Sequence, residues 1–285
     1  MSQKLNVMMV GAHPADAFDA VGGTLAKHAD AGDHVVAVVL THGVKSHDWS
    51  LMAEERDKKA SAGDAEVQRQ ITLKEKEVRE GLAILGVEDA HFLNMDDQFL
   101  AIDEKVVWEL AGIIRQERPH IIITQSPMEQ NGIADQHALC GQITLLAIRQ
   151  ASAVMPGHPL PPFGVSRVYF DAAGGKTTSL EYERNRFPHI LIDIEDTVER
   201  KIKAIDKLKS QFYDGDAGRK MTEVRQFISG LHQRLPYVEG FQIFEPLVYG
   251  TLPVPEYDFV RAGIPYEEQY RHAGKLIAPF VEQDD

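Results

Sequence analysis

The chain has 285 residues, 44% of them hydrophobic, and carries 43 acidic against 30 basic side chains for a formal net charge of -13. That length and composition give a soluble globular chain of one or two domains. The acidic balance excludes a nucleic-acid or anionic-membrane partner, since both need a positive surface, and leaves a small-molecule substrate as the expected partner. No run approaches the ~18 apolar residues of a membrane span, and the N-terminal MSQKLNV has no apolar leader core, so the expected address is the cytoplasm. The single cysteine, Cys140, rules out an internal disulfide and any multi-cysteine zinc site. It reads as a small buried hydrophobe, and a metal here would rest on His and carboxylate ligands.

In chain order, apolar runs alternate with helix-period segments, the pattern of βαβ units and a mostly parallel α/β sheet with helices on both faces. Leu5–Val10 is expected as a strand, Ala17–Ala31 as a helix ended by Gly32, and Val35–Thr41 as a strand buried on both faces. From Gly43 to about Gly63 the chain is polar and irregular, too long for an ordinary connection and thus a lid or an excursion at a subunit interface. Ile71–Leu85 has amphipathic spacing and stops at Gly86; Ala90–Leu93 is a short strand, Glu104–Glu117 a helix and Ile121–Thr124 a strand. The loop Gln125–Asp135 leads into a helix from Gln136 to about Ala151, and the proline-rich Met155–Phe163 is a connector. Val165–Phe170 and His189–Ile194 read as late strands. Asp196–Gln211 reads as a helix whose charge order suits its dipole, and beyond Tyr213 the signal weakens. Residues 1–245 form the expected catalytic domain. The tail from Pro246 to Asp285 is an extension that wraps the domain or a neighbouring subunit, in keeping with a homo-oligomer.

The most informative stretch follows the first strand: His13-Pro14-Ala15-Asp16 through Gly22-Gly23-Thr24. A strand that runs into a His and an Asp places an imidazole and a carboxylate at the carboxyl edge of the sheet, where open α/β folds keep their ligands. The three-residue spacing suits one ion held by a nitrogen and an oxygen. It equally suits Asp16 as a helix N-cap with His13 as a hydrogen-bonded turn residue. Gly22-Gly23 within the expected helix costs about 2 kcal/mol of propensity, which points to close packing there.

This run resembles the His-Pro-Asp-Asp-x-Glu-x-x-x-Gly-Gly-Thr signature of the LmbE-like, or PIG-L, family of zinc-dependent de-N-acetylases. Lys74-x-x-Glu77 before Ile84-Leu85-Gly86, Asp97, Lys203-Ala204 with Ser210-Gln211, and Glu239-x-Phe241 are similar to later family elements, extending the likeness to about residue 245. The resemblance implies a Rossmann-like LmbE fold and a zinc ion held by His13, Asp16 and a second histidine. The family's His-x-Asp-His stretch corresponds to Asn131-Gly132-Ile133-Ala134-Asp135-Gln136-His137-Ala138, so either Gln136 or, with a one-residue shift, His137 stands at the third ligand position. His137 is the expected ligand because histidine is the usual zinc donor, and Gln136 is expected beside the substrate. The competing reading has His137 pointing outward from a helix start capped by Asp135.

The chain departs from the family at Ala15, where the deacetylases carry the Asp that acts as general base, a task a methyl group cannot perform. Asp19 and Asp135 are the expected substitutes. A hydratase branch of the same family, acting on 4-oxalomesaconate, has a His-x-Ala-Asp version of the motif, similar to His13-Pro14-Ala15-Asp16. For such a tricarboxylate, Lys45, Arg56, Lys58 and Lys59 in the long loop are candidate substrate cations, against their reading as a solvated face. His42, His47, His91, His120, His189 and His232 have no mutual ligand spacing and are expected to be satisfied or exposed. No Gly-x-Ser-x-Gly elbow, P-loop or complete Gly-x-Gly-x-x-Gly is present. The favoured activity is zinc-dependent hydrolysis of an N-acyl group on a small polar metabolite. Hydration of an unsaturated carboxylate and a catalytically retired binding protein are the alternatives.

Overall fold

The computed structural model describes residues 4–59, 61–98, 100–128, 135–171, 188–230 and 233–277. Its elements are β1 (Asn6–Gly11), α1 (Gly22–Asp30), β2 (His34–Thr41), α2 (Val44–His47), α3 (Trp49–Lys58), α4 (Asp64–Leu85), β3 (Asp89–Met95), α5 (Glu104–Glu117), β4 (Ile121–Thr124) and α6 (Gln136–Ser152). After these come β5 (Arg167–Asp171), β6 (Ile190–Asp193), α7 (Val198–Ile205), α8 (Asp216–Gly230), β7 (Val238–Ile243), α9 (Glu256–Ala262) and α10 (Tyr266–Ala273). The seven strands lie in one sheet of order β3-β2-β1-β4-β5-β7-β6, parallel from β3 to β5 and antiparallel at both β7 pairings. The fold is α/β.

The two-residue period of β1 and β2 explains the layers. Val7, Met9, Val35, Ala37 and Val39 point into one core with α1, α4 and α7. Met8, Val10, Val36, Val38 and Leu40 point into the other with α5 and α6. Both strands are therefore apolar on both faces, as their near-continuous valine runs require. From β1 the chain proceeds to β2 on one side, while β4 lies on the other, so the crevice at their carboxyl ends is the topological switch point of the sheet.

Several boundaries differ from the sequence expectation. Residues Pro14–Ala17 form a 3-10 turn and α1 begins only at Gly22, because the Asp16 side chain turns back to accept the His13 N–H at 2.7 Å instead of continuing a helix. Gly23 has a packing reason: a Cβ there would meet Ile194 side-chain atoms at 2.7 Å. The segment after Gly43, expected as irregular, is mostly helical in α2 and α3, with Asp48 capping α3 through the Leu51 N–H at 2.9 Å. α3 buries only Leu51, so it carries no apolar stripe by which its sequence could announce a helix. The expected helix Asp196–Gln211 is the shorter α7 followed by a 3-10 turn at Lys209–Gln211, and the weak-signal region beyond Tyr213 contains α8 and β7. In the tail, α9 and α10 lie against the body of the same chain. Tyr257 donates to Asp193 at 2.7 Å, Arg234 to Gln269 at 3.0 Å, and the Ile277 N–H to the Tyr237 hydroxyl at 2.6 Å.

One buried pair ties the ends of the fold together. Glu239 on β7 accepts the Gly23 and Thr24 N–H groups at 2.9 and 2.7 Å, capping α1 from 216 and 215 residues away. Lys201 on α7 matches it at 2.7 Å and also donates to the Ala20 carbonyl, and both charged side chains are fully buried. Removing one partner of such a pair leaves an uncompensated buried charge, so Lys201→Met should cost about 3–5 kcal/mol of stability. A denaturant-unfolding midpoint unchanged from wild type would contradict this.

Candidate metal centre

The site grows from the turn after β1. A Cβ on Gly11 would sit 2.7 Å from the Asp16 Cβ, so the bare glycine lets the turn fold back onto the end of its own strand. Asp16 Oδ2 then lies 3.2 Å from His13 Nδ1 as well as on the His13 N–H. Across the switch point, Gln125 just after β4 accepts the Ala12 N–H at 3.1 Å and holds the two strand ends together. Asp135 caps α6 by accepting the His137 N–H at 3.0 Å, and this first turn brings His137 Nε2 to 3.5 Å from Asp16 Oδ2. The rings of His13 and His137 meet edge-on with centroids 5.1 Å apart.

One ligand atom each of His13, Asp16 and His137 thus lies within 4.8 Å of the others. Two imidazoles and one carboxylate, His13 buried and Asp16 and His137 half-buried, are a donor set that would suit a divalent ion. Burial alone would raise the Asp16 carboxyl, but the charge of His137 and the hydrogen bond from His13 outweigh it and hold the group well below the usual carboxylate range. Burial works against a charged His13, and the hydrogen bond and charge of Asp16 more than offset it, raising its pKa.

Gln136 and His137 both face the centre, with different partners. The Gln136 side chain accepts at His13 Nε2 and donates to the Asp97 carbonyl, whereas His137 lies beside Asp16 and, at 3.6 Å, Asp135. The outward-facing alternative for His137 is therefore not what the fold adopts, although Asp135 does cap the helix. Asp19 is not on α1 but in the turns before it, its carboxylate 3.2 Å from Arg225 on α8. Burial raises its pKa against the pull of Arg225. Ala15 is buried in the apolar core below the turn. The loop cations are turned elsewhere: Lys45 pairs with Asp96, and Arg56, at 74% exposure, lies on Asp57 at 3.1 Å. Neither lines the centre.

Sequence reasoning missed His47 and Asp171 here and noted Asp97 only as a family likeness. His47, at the end of α2, brings its ring to 4.5 Å from the His13 ring, and burial followed by repulsion from His13 pushes its pKa down to about 4. Its sequence context, a polar stretch without periodicity, gave no signal. Asp97 is buried, accepting from His42 Nδ1 at 2.9 Å, the Lys45 and Ser46 N–H groups at 3.2 and 2.7 Å, and the Ser46 hydroxyl. His42, Asp96 and Asp97 also cluster with metal-like spacing, but these four donors fill the Asp97 oxygens. Asp171, at the end of β5, is pushed well above the usual carboxylate range by burial and by Asp16 and Asp19. Of the other histidines, His91 pairs with Glu117 at 3.0 Å, while His120 and His189 accept the Asn6 and Ile243 N–H groups at 2.9 and 3.0 Å. His232 and residues 131–134 lie outside the described residues.

With this geometry in view, the chain's likeness to known proteins is consistent. Residues 8–148 match the family described as PIG-L: GlcNAc-PI de-N-acetylase. The diacetylchitobiose deacetylase of Thermococcus kodakarensis is 26% identical over 215 residues, covering 72% of this chain and 70% of that protein. Among solved structures, the 4-carboxy-2-hydroxymuconate hydratase of Pseudomonas putida superposes with a TM-score of 0.70 at 21% identity, covering 88% of this chain and all of that one, which speaks to the fold. The N,N'-diacetylchitobiose deacetylase of Pyrococcus horikoshii superposes with a TM-score of 0.65 at 25% identity over 84% of this chain and 83% of that one. The chain carries, over residues 8–148, a domain of the PIG-L (LmbE-like) family.

Proposed function

We propose that this chain is a zinc-dependent de-N-acetylase of a small, polar, uncharged N-acetyl compound, with the ion held by His13, Asp16 and His137. The family domain and the deacetylases among its relatives support an enzyme of the hydrolase class. The observation that carries the reading is the convergence of two imidazoles and one carboxylate at the switch-point crevice. When bound, the ion supplies Lewis acidity for polarising an acyl carbonyl. The chain's own contribution is rigidity. Gln136 holds the His13 ring through Nε2, the Asp135 cap fixes the first turn of α6, and the low pKa of Asp16 keeps its carboxylate ionised.

Hydration of an unsaturated carboxylate is the second reading, favoured by the alanine at position 15. A di- or tricarboxylate would call for cations aimed into the crevice. Among the described residues, the cationic groups around the site are matched to carboxylates instead. Lys45 has Asp96, Arg225 has Asp19, Lys201 has Glu239, and Lys74 lies 3.8 Å from Asp48. That distribution favours an uncharged substrate.

Metal analysis after dialysis against zinc should give about one ion per chain. Asp16→Ala and His137→Ala should lose it, and Gln136→Ala should keep it. The opposite behaviour of the last two variants would move the third ligand to Gln136.

Paired panels of N-acetyl sugars and unsaturated di- and tricarboxylates test the reaction, with acetate release expected from the first panel and no hydration in the second. If a carboxylate at position 15 is the missing proton acceptor, Ala15→Asp should raise hydrolysis by ~10²-fold or more. A fall in native activity on the same change would favour the hydratase.

A further inference from the structure

The segment between β2 and α3 is held from two directions. Gly43, in the left-handed region at φ 61°, lies so close to Pro14 that a Cβ would meet its Cδ at 2.6 Å, which seats the start of α2 against the metal-binding turn. At the other end the buried Lys74 of α4 donates to the His47 carbonyl and to the Ser210 hydroxyl, each at 3.2 Å. Between these anchors, Asp97 accepts both the Ser46 N–H and the Ser46 hydroxyl.

That last bond decides the state of His47. A carboxylate already accepting two backbone N–H groups and an imidazole has no hydrogen to give, so the Ser46 hydroxyl spends its single hydrogen on Asp97. The Ser46 oxygen is then an acceptor, and its contact at 2.6 Å with His47 Nδ1 requires the hydrogen to sit on Nδ1. Nε2, on the edge of the ring turned away from Ser46, then keeps its lone pair, on a ring whose centroid lies 4.5 Å from that of His13.

We propose that His47 is a hydrogen-bond acceptor of the metal centre, fixed by the Asp97-Ser46 relay in the Nδ1–H tautomer so that Nε2 receives an N–H or O–H of substrate or water. It supplies the acceptor that Ala15 lacks. His47 is the group that touches the reactant, and Ser46 and Asp97 are positioning residues. The identity of the hydrogen donor rests on the deacetylase reading; the tautomer does not.

The test uses the full chain labelled with ¹⁵N-histidine, followed by long-range proton–nitrogen NMR, with His47 assigned by the resonance lost in His47→Gln. Wild type should show Nδ1–H, Ser46→Ala should shift toward the Nε2–H form that free imidazole side chains favour, and Ser46→Thr should restore Nδ1–H. On the zinc-loaded enzyme, His47→Gln should lower kcat ~10²-fold with KM and zinc content unchanged, Ser46→Ala should lower it about tenfold, and Ser46→Thr should recover it. An Nε2–H wild type, an unaltered kcat in His47→Gln, or zinc lost from that variant, which would make His47 a ligand, overturns the proposal. If no N-acetyl compound is hydrolysed, the deacetylase reading fails while the tautomer still decides the relay.

Discussion

The buried Glu239 carboxylate is the interaction on which the architecture of the site depends. It neutralises the positive end of α1 by binding the first N–H groups of that helix, and Lys201 in turn neutralises it, so helix, late strand and α7 share one charge balance. α1 begins at Gly22, shortly beyond the turn that carries His13 and Asp16, so the direction in which the helix leaves the sheet bears on how that turn closes. A fully desolvated pair is a costly way to hold a helix. Its return is directional: two N–H groups and one ammonium fix the carboxylate from three sides, which an apolar contact cannot do.

A second dependence runs through Asp97. Its side chain organises the start of α2 and its carbonyl receives the Gln136 amide, so one residue after β3 sets both the segment bearing His47 and a contact to His13 from α6. Three strand ends, β1, β3 and β4, thereby meet through side chains at the carboxyl edge. Preorganisation here comes from hydrogen bonds between segments far apart in the chain, not from any single helix or strand.

What the sequence made legible divides along the same line. The strands show through because β1 and β2 are apolar on both faces, and His13 and Asp16 because their partnership is local, three residues along a turn. Lys74-x-x-Glu77, Ser210-Gln211 and Glu239 were visible only as separate likenesses. The fold shows why they occur together: Glu77 accepts from the Ser210 N–H and hydroxyl at 2.9 and 2.6 Å, and Glu239 meets Lys201. His47 stayed hidden since its place depends on Ser46 reaching Asp97, 51 residues away, and α3 since a helix with one buried side chain has no periodicity to read. Asp171 was equally invisible, as the charges acting on it, Asp16, Asp19, Arg225 and Lys201, come from the turns before α1, from α8 and from α7 rather than from its neighbours in the chain.

The span between Gly23 and Glu239 has a consequence for how the chain acquires its structure. The N-terminal strands and helices can assemble from contacts of modest sequence separation, but α1 gains its cap only when β7 has been made and docked. During synthesis, the turn that carries His13 and Asp16 therefore emerges early and matures last. A product cut short before Glu239 would keep every residue of the candidate metal centre in its covalent order and still lack the buried carboxylate that caps the helix following it.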